Sequence, residues 1–144
     1  DLALAAGADG VHLGAGDLPV ADARRIADAC THVGGPPALV GGTAREPESA
    51  RRRVDAGADY LGIGPCFATT SKSDLPAPGG PARVEAVARA VDVPVIAIGG
   101  VTVDHVPALL DAGAHGVAVI GAVWSTPDPA AAVTALCAAL EGRS

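Results

Sequence analysis

One phrase occurs three times in this chain and restricts its fold more than any other feature. Residues 6–14 read "AGADGVHLG", residues 56–64 read "AGADYLGIG" and residues 112–120 read "AGAHGVAVI". Each follows a helix-like segment, opens on Ala-Gly-Ala and closes on a short apolar run. The central Gly suits the position just past a helix, where left-handed backbone angles exclude a Cβ. The run after it is built from Val, Ile, Leu and Gly, the pattern of a strand buried on both faces. Each phrase therefore predicts a helix-to-strand junction.

Two further strands fit between the phrases. "PALVGG" (37–42) precedes a helix expected near 46–57, and "VPVIAIGG" (93–100) precedes one near 103–112. Strands and helices then alternate through five strands, with a long loop after the third, which calls for parallel strands and right-handed crossovers. Three strands end in Gly-containing loops, "HLGAGD", "GIGPCFATTSK" and "AIGGVT", and no G-x-G-x-x-G opens a helix. That favours a (β/α)₈ TIM barrel, whose strand C-terminal loops meet at one face, over a doubly wound sheet. Five strands leave a barrel open with two raw edges. The sequence opens on Asp1 within a helix-like stretch. The expectation is that residues 1–144 form the C-terminal part of a single barrel domain, after three βα units.

Composition narrows the partners. The chain has 144 residues, 49% of them hydrophobic, enough for one domain with a sizeable core. Its formal charge is −6, and no Lys/Arg block alternates with aromatics, so no nucleic-acid surface is expected. Arg51, Arg52 and Arg53 read as a solvated helix face. Cys30, Cys66 and Cys137 are widely spaced and lack a CxxC, which argues against a disulfide framework or a zinc site and fits a cytoplasmic protein. There is no apolar run long enough for a transmembrane helix.

The loops hold the candidate chemistry. Lys72 is the chain's single lysine, set among Thr69, Thr70 and Ser71. Hydroxyls and a compact ammonium suit an anion, although the loop is not a Walker A sequence. Asp17, past the first strand, suits either Mg²⁺ or an N-cap or turn before the next helix. Thr43, placed just beyond the second strand, suits either a substrate oxygen or a helix N-cap. His12 reads as a strand residue packed or hydrogen-bonded inside the barrel. Gly99, Gly100 and Gly121 leave backbone amides open to an anion at loops that would follow strands seven and eight of a whole barrel.

Together "GADGVHLGAGDLP", "GADYLGIGPCFATTSK", "VPVIAIGGVT" and "AGAHGVAVIGAV" resemble the thiamine phosphate synthases. The resemblance implies a Mg²⁺-dependent (β/α)₈ enzyme. Such an enzyme joins 4-amino-2-methyl-5-hydroxymethylpyrimidine diphosphate to a thiazole phosphate, releasing pyrophosphate. It implies Asp17 as a Mg²⁺ ligand, Thr43 at the pyrimidine and Lys72 at the pyrophosphate as the catalytic residue. Thr69, Thr70, Ser71, Gly100, Ile120 and Gly121 would contact the thiazole phosphate. A homodimer is a family-level expectation. The chain departs from the family at Ala15-Gly16 before Asp17, at Thr43 and Gly121, each in place of the usual Ser, and at Ser71 in place of a Thr. A thiazole tautomerase-like relative and an inactive phosphate-binding fragment are the rival readings. Asp17 and the Ser71-Lys72 pair favour the synthase over the tautomerase.

Overall fold

The computed structural model describes residue 3 and residues 6–29, 38–70 and 75–142. Five strands, β1 (Gly10–Leu13), β2 (Leu39–Ala44), β3 (Tyr60–Ile63), β4 (Val95–Ile98) and β5 (Gly116–Ala118), alternate with helices. These are α1 (Val20–Ala29), α2 (Pro47–Asp55), α3 (Gly80–Ala88), α4 (Val106–Asp111), α5 (Gly121–Trp124) and α6 (Pro129–Glu141).

The three Ala-Gly-Ala phrases are helix stops. Gly7, Gly57 and Gly113 have φ of 65°, 97° and 92°. After α2, Gly57 N–H donates to Val54 and Ala58 N–H to Arg53. After α4, Gly113 donates to Leu110 and Ala114 to Leu109. This paired pattern caps the last carbonyls of the helix and turns the chain back toward the sheet. Ala8 N–H makes the corresponding long bond to the Ala3 carbonyl.

All adjacent strands pair in parallel, in the order β1-β2-β3-β4-β5. Every crossover therefore steps the same way. With right-handed connections the helices all fall on one face, whereas a doubly wound sheet reverses its order. The sheet is an arc of a (β/α)₈ barrel. Beneath the helices lie Leu13, Val40, Leu61, Ile63, Val95 and Ala97, packed against Val20, Ala50, Val84, Val87 and Leu109.

The strands are not buried on both faces as their apolar runs suggest. Leu39 is 53% exposed and Ile98 38%. Both lie on the inner face, which no described helix covers.

Element boundaries shift where prolines and small residues intervene. β2 extends two residues beyond "PALVGG", so that it includes Thr43. The helix expected near 103–112 begins as a 3₁₀ turn (Val103–His105) and becomes α-helical at Val106, with Pro107 in its first turn, where a missing N–H costs nothing. The short α5 was not legible in the sequence. Arg51 and Arg52 are exposed on α2, as expected of a solvated face, but Arg53 is half-buried and lays its stem over Gly42.

Candidate functional site

Parallel strands gather their following loops at one rim. Asp17 lies in the loop after β1, Thr43 near the end of β2, and Thr69 and Thr70 in the loop after β3. Gly100 follows β4, and Ile120 and Gly121 follow β5. Ser71 and Lys72 lie outside the described residues.

Asp17 is exposed, and its Oδ2 accepts a 2.6 Å hydrogen bond from Gly14 N–H. That bond ties the carboxylate to the turn leaving β1. It is not the N-cap of α1: Pro19 holds that place, its carbonyl accepting from Asp22 and Ala23. The other oxygen, Oδ1, has no hydrogen bond among the described residues. One hard carboxylate suits Mg²⁺, which keeps waters and takes its remaining ligands from phosphates. Among the described residues no three His, Cys, Asp or Glu side chains gather round one point.

Thr43 belongs to β2 itself, and α2 is capped at Glu46, whose N–H bonds Ser49 Oγ. The helix-cap alternative for Thr43 is therefore excluded. Its side chain is on the inner face, with Oγ1 2.9 Å from His12 Nε2. The other ring nitrogen, Nδ1, lies 3.2 Å from the Tyr60 hydroxyl. Burial lowers the His12 pKa. The Asp17 carboxylate opposes this and the Arg53 guanidinium reinforces it. Burial raises the Tyr60 pKa. Both groups are thus neutral near neutral pH.

The loops after β3 and β4 lock together. Cys66 N–H donates to Ile98 and Phe67 N–H to Gly99, each at 2.9 Å. Gly99 and Gly100 have φ of 90° and 64°. A Cβ on Gly100 would collide with the Phe67–Ala68 backbone. The close approach that Gly100 permits here is therefore of one loop to another. Phe67 stacks on His105 with ring centroids 3.6 Å apart and planes 8° from parallel. His105 Nδ1 in turn accepts from Thr102 N–H. Cys66 is buried and donates its thiol to the Ile63 carbonyl. Burial raises its pKa, so it packs rather than reacts.

Sequence reasoning passed over Tyr60, Phe67 and His105. Tyr60 had a readable signal: it replaces the Gly that follows Asp9 and His115 in the other two phrases. The Phe67–His105 stack joins residues 38 apart in sequence and had none.

The chain matches the thiamine monophosphate synthase family over residues 1–123. It is 54% identical over 139 residues to the thiamine-phosphate synthase of Salinispora arenicola, covering 96% of this chain and 64% of that protein. A thiamine phosphate pyrophosphorylase from Pyrococcus furiosus superposes with a TM-score of 0.83 at 35% identity, over 98% of this chain and 63% of that one. A 3-hexulose-6-phosphate synthase superposes with a TM-score of 0.73 at 28% identity, over 97% of this chain and 66% of that one. The last match shows that this arc of barrel also occurs in a protein named for another reaction. The family match over most of the chain, and the sequence identity that accompanies it, decide the assignment: this chain belongs to the thiamine monophosphate synthase family.

Proposed function

We propose that this chain carries the site of a cytoplasmic, Mg²⁺-dependent thiamine-phosphate synthase, as the C-terminal part of one barrel domain. It would join the pyrimidine diphosphate to the thiazole phosphate, giving thiamine phosphate and pyrophosphate. The observation that supports this most is the placement of the candidate residues. Asp17, Thr43, Thr69, Thr70, Gly100 and Gly121 end or follow five successive parallel strands, so one rim presents them all.

In this reading the pyrophosphate departs before the new C–N bond forms, and the electron-rich aminopyrimidine supports the resulting cation. The thiazole nitrogen then captures it. No side chain needs to act as a nucleophile, in keeping with the buried, hydrogen-bonded Cys66. Lys72 and Asp17 act on the leaving group, the lysine as a point charge on developing negative oxygen. Asp17 would hold Mg²⁺, which when bound offsets charge on the pyrophosphate. Thr43 orients the pyrimidine. Ser71, Ile120 and Gly121 join Thr69, Thr70 and Gly100 around the thiazole phosphate. The protein's contribution is mainly alignment.

The test is incubation of the purified protein with both substrates and Mg²⁺, reading thiamine phosphate and pyrophosphate in equal amounts. Formation that stops with EDTA is the expected result. Isomerisation of a thiazole carboxylate phosphate without condensation would replace this reading with the tautomerase, and neither product would leave a phosphate-binding barrel.

A further inference from the structure

His12, Thr43 and Tyr60 occupy the inner faces of three adjacent strands, and two glycines make room for them. His12 pairs across the sheet with Gly41, and Gly41 with Tyr60. Thr43 pairs with Gly62. A Cβ on Gly41 would lie 2.1 Å from Tyr60 Cζ, and one on Gly62 2.9 Å from His12 Cε1. The two rings thus lie across the sheet on a floor of bare backbone, with centroids 5.5 Å apart. In that position both imidazole nitrogens are engaged, Nδ1 by the Tyr60 hydroxyl and Nε2 by Thr43.

A neutral imidazole has one donor and one acceptor, and the bond made at one nitrogen sets what the other does. The chain of bonds therefore has only two directions. In one, Tyr60 donates to Nδ1 and Nε2–H donates to Thr43. In the other, Thr43 donates to Nε2 and Nδ1–H donates to Tyr60. The phenol is the more acidic hydroxyl and the better donor, and the aliphatic hydroxyl is the better acceptor. The first direction wins, and Thr43 keeps its own hydrogen for a partner outside the chain.

We propose that Tyr60 is a positioning residue that, through His12, holds the Thr43 hydroxyl as a hydrogen-bond donor toward the substrate. The inference rests on the reading that Thr43 meets the pyrimidine. It adds that Thr43 has a hydrogen to give there, which suits an acceptor such as a ring nitrogen of the pyrimidine.

The experiment has two arms. Nitrogen-15 NMR of the labelled protein at neutral pH reads the His12 tautomer whether or not the protein turns over. The expected result is a protonated Nε2 and a bare Nδ1, with the Nδ1 resonance moving in Tyr60→Phe. A protonated Nδ1 in the unaltered protein, or an unmoved resonance in the variant, overturns the proposal. The second arm is kinetic. Tyr60→Phe should raise KM for the pyrimidine diphosphate about tenfold, the effect of one lost hydrogen bond. KM for the thiazole phosphate should stay unchanged. In a Thr43→Val background the same change should add less than about twofold, since coupled residues are not additive. Equal effects in both backgrounds would show Tyr60 acting without Thr43 and overturn the proposal. If the unaltered protein makes no thiamine phosphate, the synthase reading falls on its own and the NMR arm decides the hydrogen-bond chain.

Discussion

At the scale of single residues, His12 ties chemistry to stability. Its pKa lies below its ordinary value of 6.5 in the folded chain, chiefly through burial. The unfolded chain therefore takes up this proton at higher pH than the folded one. Stability should be indifferent to this group above about 6.5 and fall as the pH drops below it. Urea titrations at a series of pH values should show that decline, and His12→Asn should flatten it. Identical profiles for the two proteins would assign the acid sensitivity elsewhere. Lys72 makes a separate prediction. Lys72→Ala should lower kcat at least about a hundredfold if it stabilises the leaving group, while Arg51→Ala, on the exposed face of α2, should change it little. Equal small losses would remove Lys72 from the mechanism.

At the scale of elements, the helix stops were the most legible part of the sequence, because Ala-Gly-Ala needs only local geometry to be understood. Their energies should nonetheless differ. Among the described residues a Cβ on Gly7 meets nothing within 4 Å, whereas one on Gly57 meets Arg24 Cγ at 2.8 Å. Gly7→Ala should cost about 1–2 kcal/mol, the price of a left-handed residue with a side chain. Gly57→Ala should cost more, because Arg24 must move and it holds Asp59, Asp28 and the Ala38 carbonyl together. Chemical denaturation of the two variants checks the ordering. The site was less legible than the helix stops. Asp17 and Thr43 could be chosen by residue type and strand position. Their partners could not, because Tyr60 reaches His12 across a gap that exists only where Gly41 lacks a side chain. The Phe67–His105 stack likewise depends on how two loops meet, which no spacing within either loop encodes.

At the scale of the whole molecule, sequential strand order places the helices on one side and leaves the inner face uncovered by any described helix. β1 and β5 each have one unpaired edge among the described residues. A groove of about 360 Å³ runs beside β1, lined by Val11, Leu18 and Ile26 among others. Open edges next to apolar surface favour pairing with another chain. Sedimentation velocity over a range of concentrations should therefore show this 144-residue chain associating. A single monomeric boundary throughout would mean that the edges are protected. Under random mutation the glycine floor beneath His12 and Tyr60 should tolerate as little as the other crowded glycines of the sheet and its loops. Gly→Ala takes a single base change and is mild where the backbone angles are ordinary and the space is open. At Gly41 it would drive a methyl group into the Tyr60 ring, so a change invisible in most alignments should be depleted in a scan that selects only for folding. Tyr60→Phe, which keeps the ring's shape, should survive that scan and be lost only under selection for activity. The positions with the smallest side chains would then have the least freedom to drift.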